Sequence, residues 1–163
     1  VHEKLITVSS LASALAVHRA QGRRIVFTNG CFDVMHIGHT RYLQAARNFG
    51  NVLVVGVNTD RSVRGLNKAP NRPIVPEQQR AEVLAALACV DYVVLFDEPD
   101  PGRLIAEIGP DVLVKGGDWT PDKIIGRETV EARGGTVKTI PLVPGVSTTA
   151  IVEKIKKDVL CDS

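Results

Sequence analysis

Cysteine is scarce in this chain: Cys31, Cys89 and Cys161 stand far apart among 163 residues, with no C-x-x-C pair and an odd count. That excludes a disulfide framework or a cysteine-built zinc cage as the source of stability, and it fits a reducing cytoplasm. Long hydrophobic runs are missing as well. The opening stretch VHEKLITVSSLASALAVHRAQGRR is broken by polar residues, and no later run approaches the ~18 residues that span a bilayer. Neither export nor membrane insertion is expected. An excess of one charge is also lacking: 20 Lys plus Arg face 18 Asp plus Glu, a net of +2. No general polyanion-binding surface follows from that balance, so any phosphate binding must come from a local site. Repeats, low-complexity tracts and dividing linkers are absent too. The length suits one nucleus of packing over residues 1–163, with 1–22 as an N-terminal helical extension.

What is present is an alternation of Val/Ile-rich runs with segments of helical period, the pattern of a parallel sheet with helices on both faces. The runs predict strands at Ile25 to Thr28, Val52 to Val57, Tyr92 to Leu95, Val112 to Lys115 and Thr136 to Ile140. Helices are predicted near Ser10 to Ala20 and at Ile37 to Phe49, Glu77 to Ala88, Gly102 to Ile108, Ile124 to Arg133 and Thr148 to Val159. Between the second strand and the third helix, TDRSVRGLNKAPNRPIVPEQQR (59–80) reads as a long basic loop carrying Arg61, Arg64, Lys68, Arg72 and Arg80. Loops of that length in a compact domain usually carry function or move.

The densest chemistry lies in NGCFDVMHIGH, residues 29–39, between a strand and a helix start. Ligands of open parallel sheets bind outside the carboxyl ends of the strands. A helix beginning near Ile37 would aim unpaired N–H groups at a phosphate, with His36 and His39 on the same face as further donors. Gly38 would leave room for a ligand to approach the backbone, and Gly30 would allow a tight exit from the strand. Two other readings stand beside this one: a metal site, with Asp33 as the nearest further ligand, and a histidine pair without chemistry.

HIGH after TNGCFD resembles the H-x-G-H motif of the nucleotidyltransferase superfamily, whose members move a nucleoside monophosphate from ATP or CTP onto a phosphate and release pyrophosphate. VNTD (57–60), KGGDW (115–119) and GVSTT (145–149) agree with it. The same four letters occur in class I aminoacyl-tRNA synthetases, but these 163 residues offer no tRNA-binding extension, so nucleic acid is not an expected partner. From VFTNGCFDVMHIGH through RPIVPEQQRAEVLAALACVDYVV and LIAEIGPDVLVKGGDW to GVSTTAIVEKI, the chain is similar to the adenylyltransferases of ADP-heptose synthesis, which serve the lipopolysaccharide inner core. In many bacteria that activity is fused behind a sugar-kinase domain. No such segment occurs here, giving the expectation of a stand-alone form.

The resemblance implies a single Rossmann-like α/β domain, a five-stranded parallel sheet in the order 3-2-1-4-5 with its site between the first and fourth strands. It implies His36, His39, Lys68 and Arg72 as catalytic residues. Nucleotide binding would fall to Thr28, Asn29, Gly30, Cys31, Phe32, Asp33, Gly38, Arg80, Lys115, Gly117, Asp118, Ser147, Thr148 and Thr149, and substrate binding to Asn58, Asp60 and Trp119. No protein metal ligand is expected. ATP with Mg²⁺ and D-glycero-β-D-manno-heptose 1-phosphate would be the substrates, and a homodimer the assembly. Glycerol-3-phosphate cytidylyltransferases are also similar, but they carry an arginine and an acidic residue before the S-T-T triplet, where this chain has PLVPGVSTT. Transfer of CMP to an alcohol phosphate is the alternative activity.

Overall fold

Valine-rich runs without polar interruption leave no face for water, and here they form the centre of a parallel sheet. The computed structural model describes residues 2–66, 71–117 and 119–161. Its chain runs α1 (Val8–Ala20), β1 (Ile25–Gly30), α2 (Ile37–Arg47), β2 (Val52–Asn58), α3 (Asp60–Gly65) and α4 (Glu77–Ala85). It continues through β3 (Tyr92–Phe96), α5 (Gly102–Ile108), β4 (Val112–Gly116), α6 (Arg127–Ala132), β5 (Thr136–Ile140) and α7 (Thr148–Cys161). The strands are parallel in the order 3-2-1-4-5, as the sequence led one to expect.

Period-2 alternation divides the buried side chains between two apolar layers. Val52 and Val54 of β2 join Leu11 and Leu15 of α1 and Leu104, Ile105 and Ile108 of α5 on one face. Leu53, Val55 and Val57 join Leu43 and Ala46 of α2 and Ala81, Leu84 and Ala85 of α4 on the other. The leading helix is thus part of the core, since Leu11 and Leu15 are fully buried.

Several boundaries differ from expectation. α2 stops at Arg47 and α4 at Ala85, each a short way before the predicted end, and α6 covers only Arg127–Ala132 because Gly126 enters it at φ 89. Residues 59–80 are not one loop. Thr59 caps a short helix, its side chain accepting from the Ser62 N–H, so α3 occupies the first part.

One feature of the sheet positions the site. β1 and β4 are in register at Val26↔Val112 and Phe27↔Leu113 only, although β1 runs on to Gly30 and β4 to Gly116. Beyond Phe27 the two strands diverge, and the crevice opens at the point where the strand order reverses.

Candidate active site

The segment leaving β1 is bent hard, with Phe32 at φ 49 and Val34 at φ 52. A β-branched residue in the left-handed region costs about 1–3 kcal/mol, so its surroundings must hold it there. Asp33, buried between those two residues, supplies the anchor. Its carboxylate accepts from the N–H groups of Ile74 (2.8 Å) and Val75 (2.9 Å) and from Arg72 Nε (2.6 Å). Its carbonyl accepts from Thr148 Oγ1 at 2.7 Å, at the start of α7. Burial alone would raise the Asp33 pKa, but the two N–H donors and the Arg72 guanidinium outweigh it and hold the carboxyl below its usual range. Asp33 is therefore the clamp that brings residues 72–75 and α7 to the crevice.

His36 is the N-cap of α2, and its Nδ1 accepts from the Gly38 N–H at 3.1 Å. His39 Nδ1 accepts from the His36 N–H at 3.3 Å, and the two rings stack with centroids 3.9 Å apart. An imidazole whose Nδ1 accepts carries its proton on Nε2. Both rings are thus set as neutral Nε2–H donors lining the same cleft. Gly38 serves this arrangement: a Cβ there would lie 2.8 Å from His36 Cε1, so the capping ring itself needs the glycine, which also lines the cleft.

Burial lowers the pKa of His36, and burial, followed by repulsion from His36, takes His39 down to about 4. The free protein holds both rings uncharged at neutral pH. Because kcat/KM reports groups of the free enzyme, any acidic limb that the pair contributes to its profile is expected below the ordinary imidazole value of about 6.5, with His39 titrating at about 4. A rate that instead falls as pH rises through the ordinary imidazole value would mean that one ring works as a cation.

The crevice floor is made by Asn29 at the end of β1 and Lys115 at the end of β4, whose Nζ donates to Asn29 Oδ1. Burial pushes the Lys115 ammonium down to about 8. The cleft above them, about 550 Å³, brings together Asn29, Gly30, Cys31, Phe32, Asp33, His36, Gly38, His39, Asn58, Arg72, Lys115, Trp119, Ser147 and Thr148. Those are fourteen of the sequence-derived candidates. Ser147 caps α7, its Oγ accepting from the Ala150 N–H at 3.0 Å. Lys68 and Asp118 lie outside the described residues.

Five candidates stand away from the cleft lining. Arg80 is the main correction: it is 1% exposed and cannot present its charge to a phosphate. Its Nη1 donates to the Cys31 carbonyl (2.5 Å), its Nη2 to the Asn58 carbonyl (2.8 Å) and to Asp60 Oδ1 (2.7 Å), and its Nε to the Val75 carbonyl (2.8 Å). Asp60 is the ion-pair partner of Arg80 and does not line the cleft. Thr28 is fully buried with its hydroxyl bonded to Tyr42. Gly117 sits at φ 91 in the turn after β4, donating to the Ile140 carbonyl at 2.9 Å, and Thr149 points to solvent.

Sequence reasoning overlooked Tyr42, Asp100, Lys123 and an apolar wall of Ile124, Ile125, Leu142, Val143 and Val146. Tyr42 had a signal, since it follows His39 by three residues on one helix and so shares its face. Leu142 and Trp119, 71% and 54% exposed, flank Gly117 at the mouth of the cleft. Apolar side chains left in water beside polar donors are common where a flat ring is bound.

Comparison with known proteins bears on this site. The model of the cytidylyltransferase-like family matches residues 27–154. A protein of Citrifermentans bemidjiense called bifunctional protein HldE is 55% identical over 152 residues, 93% of this chain and 31% of its own length. A namesake from Geobacter sulfurreducens is 53% identical over 154 residues, 94% of this chain and 31% of its own. This chain thus spans about a third of the length of these relatives. Among solved structures, a lipopolysaccharide core biosynthesis protein from Thermoplasma volcanium superposes with a TM-score of 0.62 at 31% identity, covering 75% of this chain and 98% of that one. Pantothenate synthetase from Thermus thermophilus, at 17% identity and a TM-score of 0.59 over 86% of this chain and 62% of its own, shares the fold.

Proposed function

The chain belongs to the cytidylyltransferase-like family, and from that premise we propose that residues 1–163 act as one nucleotidyltransferase domain. It transfers AMP from ATP to D-glycero-β-D-manno-heptose 1-phosphate, giving ADP-heptose and pyrophosphate for the lipopolysaccharide core. The observation that carries the reading is the capped histidine pair, whose Nδ1 atoms both accept backbone hydrogens and so leave two Nε2–H donors. In-line attack by a sugar-phosphate oxygen on the α-phosphorus builds charge on the equatorial oxygens, where such donors act. A neutral donor set beforehand needs no reorganisation as that charge develops. Arg72, oriented through its Nε by Asp33, and Lys115 supply positive charge, and the start of α7 adds Ser147 and Thr148.

Among the described residues no three His, Cys, Asp or Glu side chains cluster as a metal cage, and Asp33 is already engaged by three donors. On this reading Mg²⁺ enters as part of the MgATP substrate, held by phosphate oxygens. The choice of ATP over CTP rests on the resemblance: the segment before the S-T-T triplet, whose Leu142, Val143 and Val146 line the cleft, lacks the arginine and acidic residue of the similar glycerol-3-phosphate cytidylyltransferases. No helix among the described residues is long and apolar enough to cross a membrane. A homodimer, on the family resemblance alone, and a cytoplasmic location, on the scattered cysteines, complete the proposal.

A pyrophosphate-release panel crossing ATP and CTP with sugar and alcohol phosphates tests it. Release is expected with ATP and heptose 1-phosphate together and with neither alone. Release with CTP and glycerol 3-phosphate instead would transfer the protein to the alternative activity.

A further inference from the structure

The hydroxyl of Tyr42 has no part in the steps above, yet it lies where the sheet opens. After Phe27↔Leu113 the β1–β4 register ends, and the next positions are Thr28 and Val114. α2 places the Tyr42 hydroxyl between them, 2.6 Å from Thr28 Oγ1 and 3.2 Å from the Val114 carbonyl. Since the phenol donates to the carbonyl, Thr28 donates to the phenol, and both contacts are satisfied by one oxygen. One residue further along each strand, Lys115 Nζ and Asn29 Oδ1 meet across the crevice floor. The ring itself covers Gly116, where a Cβ would lie 3.3 Å from Tyr42 Cε2. Tyr42 also stands one helical turn after His39, so a single helix carries both the phosphate donors and this bridge.

We infer that Tyr42 is a positioning residue for Lys115: its hydroxyl bridges the diverging ends of β1 and β4, keeping water from the gap and setting the Lys115 ammonium against Asn29 in line with the histidine pair. The inference rests on the adenylyltransferase reading for its consequence in turnover. Its consequence for the lysine is independent of that reading. Lys115 depends on dryness at this point, because burial alone accounts for its fall to about 8. Burial also raises Tyr42 to about 12, so the bridge stays protonated across the working range. The titratable and charged groups sharing the cleft are Cys31 and Asp33 from the β1 exit, His36 and His39 from α2, Arg72, Asp100 after β3, and Lys123 before α6.

Tyr42→Phe removes the oxygen and keeps the ring. Competitive acylation of amines, followed on the Lys115 peptide by mass spectrometry from about pH 6 to 11, reads the ionisation of that lysine without turnover. In the variant the Lys115 midpoint is expected to rise from about 8 towards the ordinary lysine value of about 10.4. kcat is expected to fall about tenfold with the KM for ATP little changed. Thr28→Val takes away the other half of the bridge and is expected to move the same midpoint in the same direction, which covers the case of a Tyr42→Phe protein that does not fold. An unchanged midpoint in the folded variants, or an unchanged kcat, would overturn the inference. A wild-type protein that releases no pyrophosphate from any acceptor, yet shows the shifted lysine in the variants, would sink the activity and leave the bridge standing.

Discussion

Replacing His36 with alanine is expected to lower turnover by roughly 100-fold or more while ATP still binds with similar affinity. The loss has two sources. One Nε2–H donor disappears from the place where transition-state charge gathers, and the Nδ1 acceptor that caps α2 through Gly38 disappears with it. A capping side chain contributes about 0.5–2 kcal/mol to helix stability, so part of the damage is structural. His36→Asn separates the two, because asparagine is a good N-cap but offers no ring donor at that reach. Thermal unfolding should return close to the parent with asparagine, while the rate stays low. Isothermal titration with ATP and pyrophosphate-release kinetics on both variants make the comparison. Equal turnover by His36→Ala would remove the phosphate-stabilising role of the pair.

Arg80→Met is expected to have the largest effect on stability, about 3–5 kcal/mol, which for a chain of this size lowers the melting temperature by roughly 10 °C. The guanidinium joins four otherwise separate places: the β1 exit at Cys31, the end of β2 at Asn58, the start of α3 at Asp60, and Val75 ahead of α4. Methionine fills much of the volume but leaves three carbonyls and a carboxylate without their donor. Lysine should not rescue it, since one ammonium cannot reach four acceptors spread around a planar fork. A thermal melt decides the matter. If Arg80 were instead a phosphate ligand, as its charge suggests in the sequence, the variant would melt with the parent and lose only nucleotide affinity.

The Arg80 result shows why one part of the site was readable and another was not. His36 and His39 could be placed because their relation is local: a helix start and a spacing of three decide that both rings meet one ligand. Arg80 looked like their ally because a basic residue at a helix start near a nucleotide site reads as a phosphate contact. Its four acceptors lie up to 49 positions away, and nothing within its own helix announces them. α3 was hidden for a different, local reason. Thr59 and Ser62 form a capped turn, but the surrounding Arg, Gly, Asn and Pro residues of 59–80 suggested irregular chain throughout. Gly38 signals a need for space in the sequence, and the fold adds that the His36 ring takes up part of it.

By itself the sequence determined the strand order's raw material and the histidine motif. Unbroken valine runs must be buried on both faces, glycine and capping residues end and start helices within a few positions, and each of these preferences acts between neighbours. Only the tertiary structure decided that Asp33 clamps Arg72 and α7, that Arg80 is interior, and that Tyr42 bridges strands whose contacted residues are 14 and 72 positions away. Those outcomes depend on which donor meets which acceptor once the sheet is assembled. A hydrogen bond of that kind has its energy only at about 3 Å, and that proximity is a property of the packed fold.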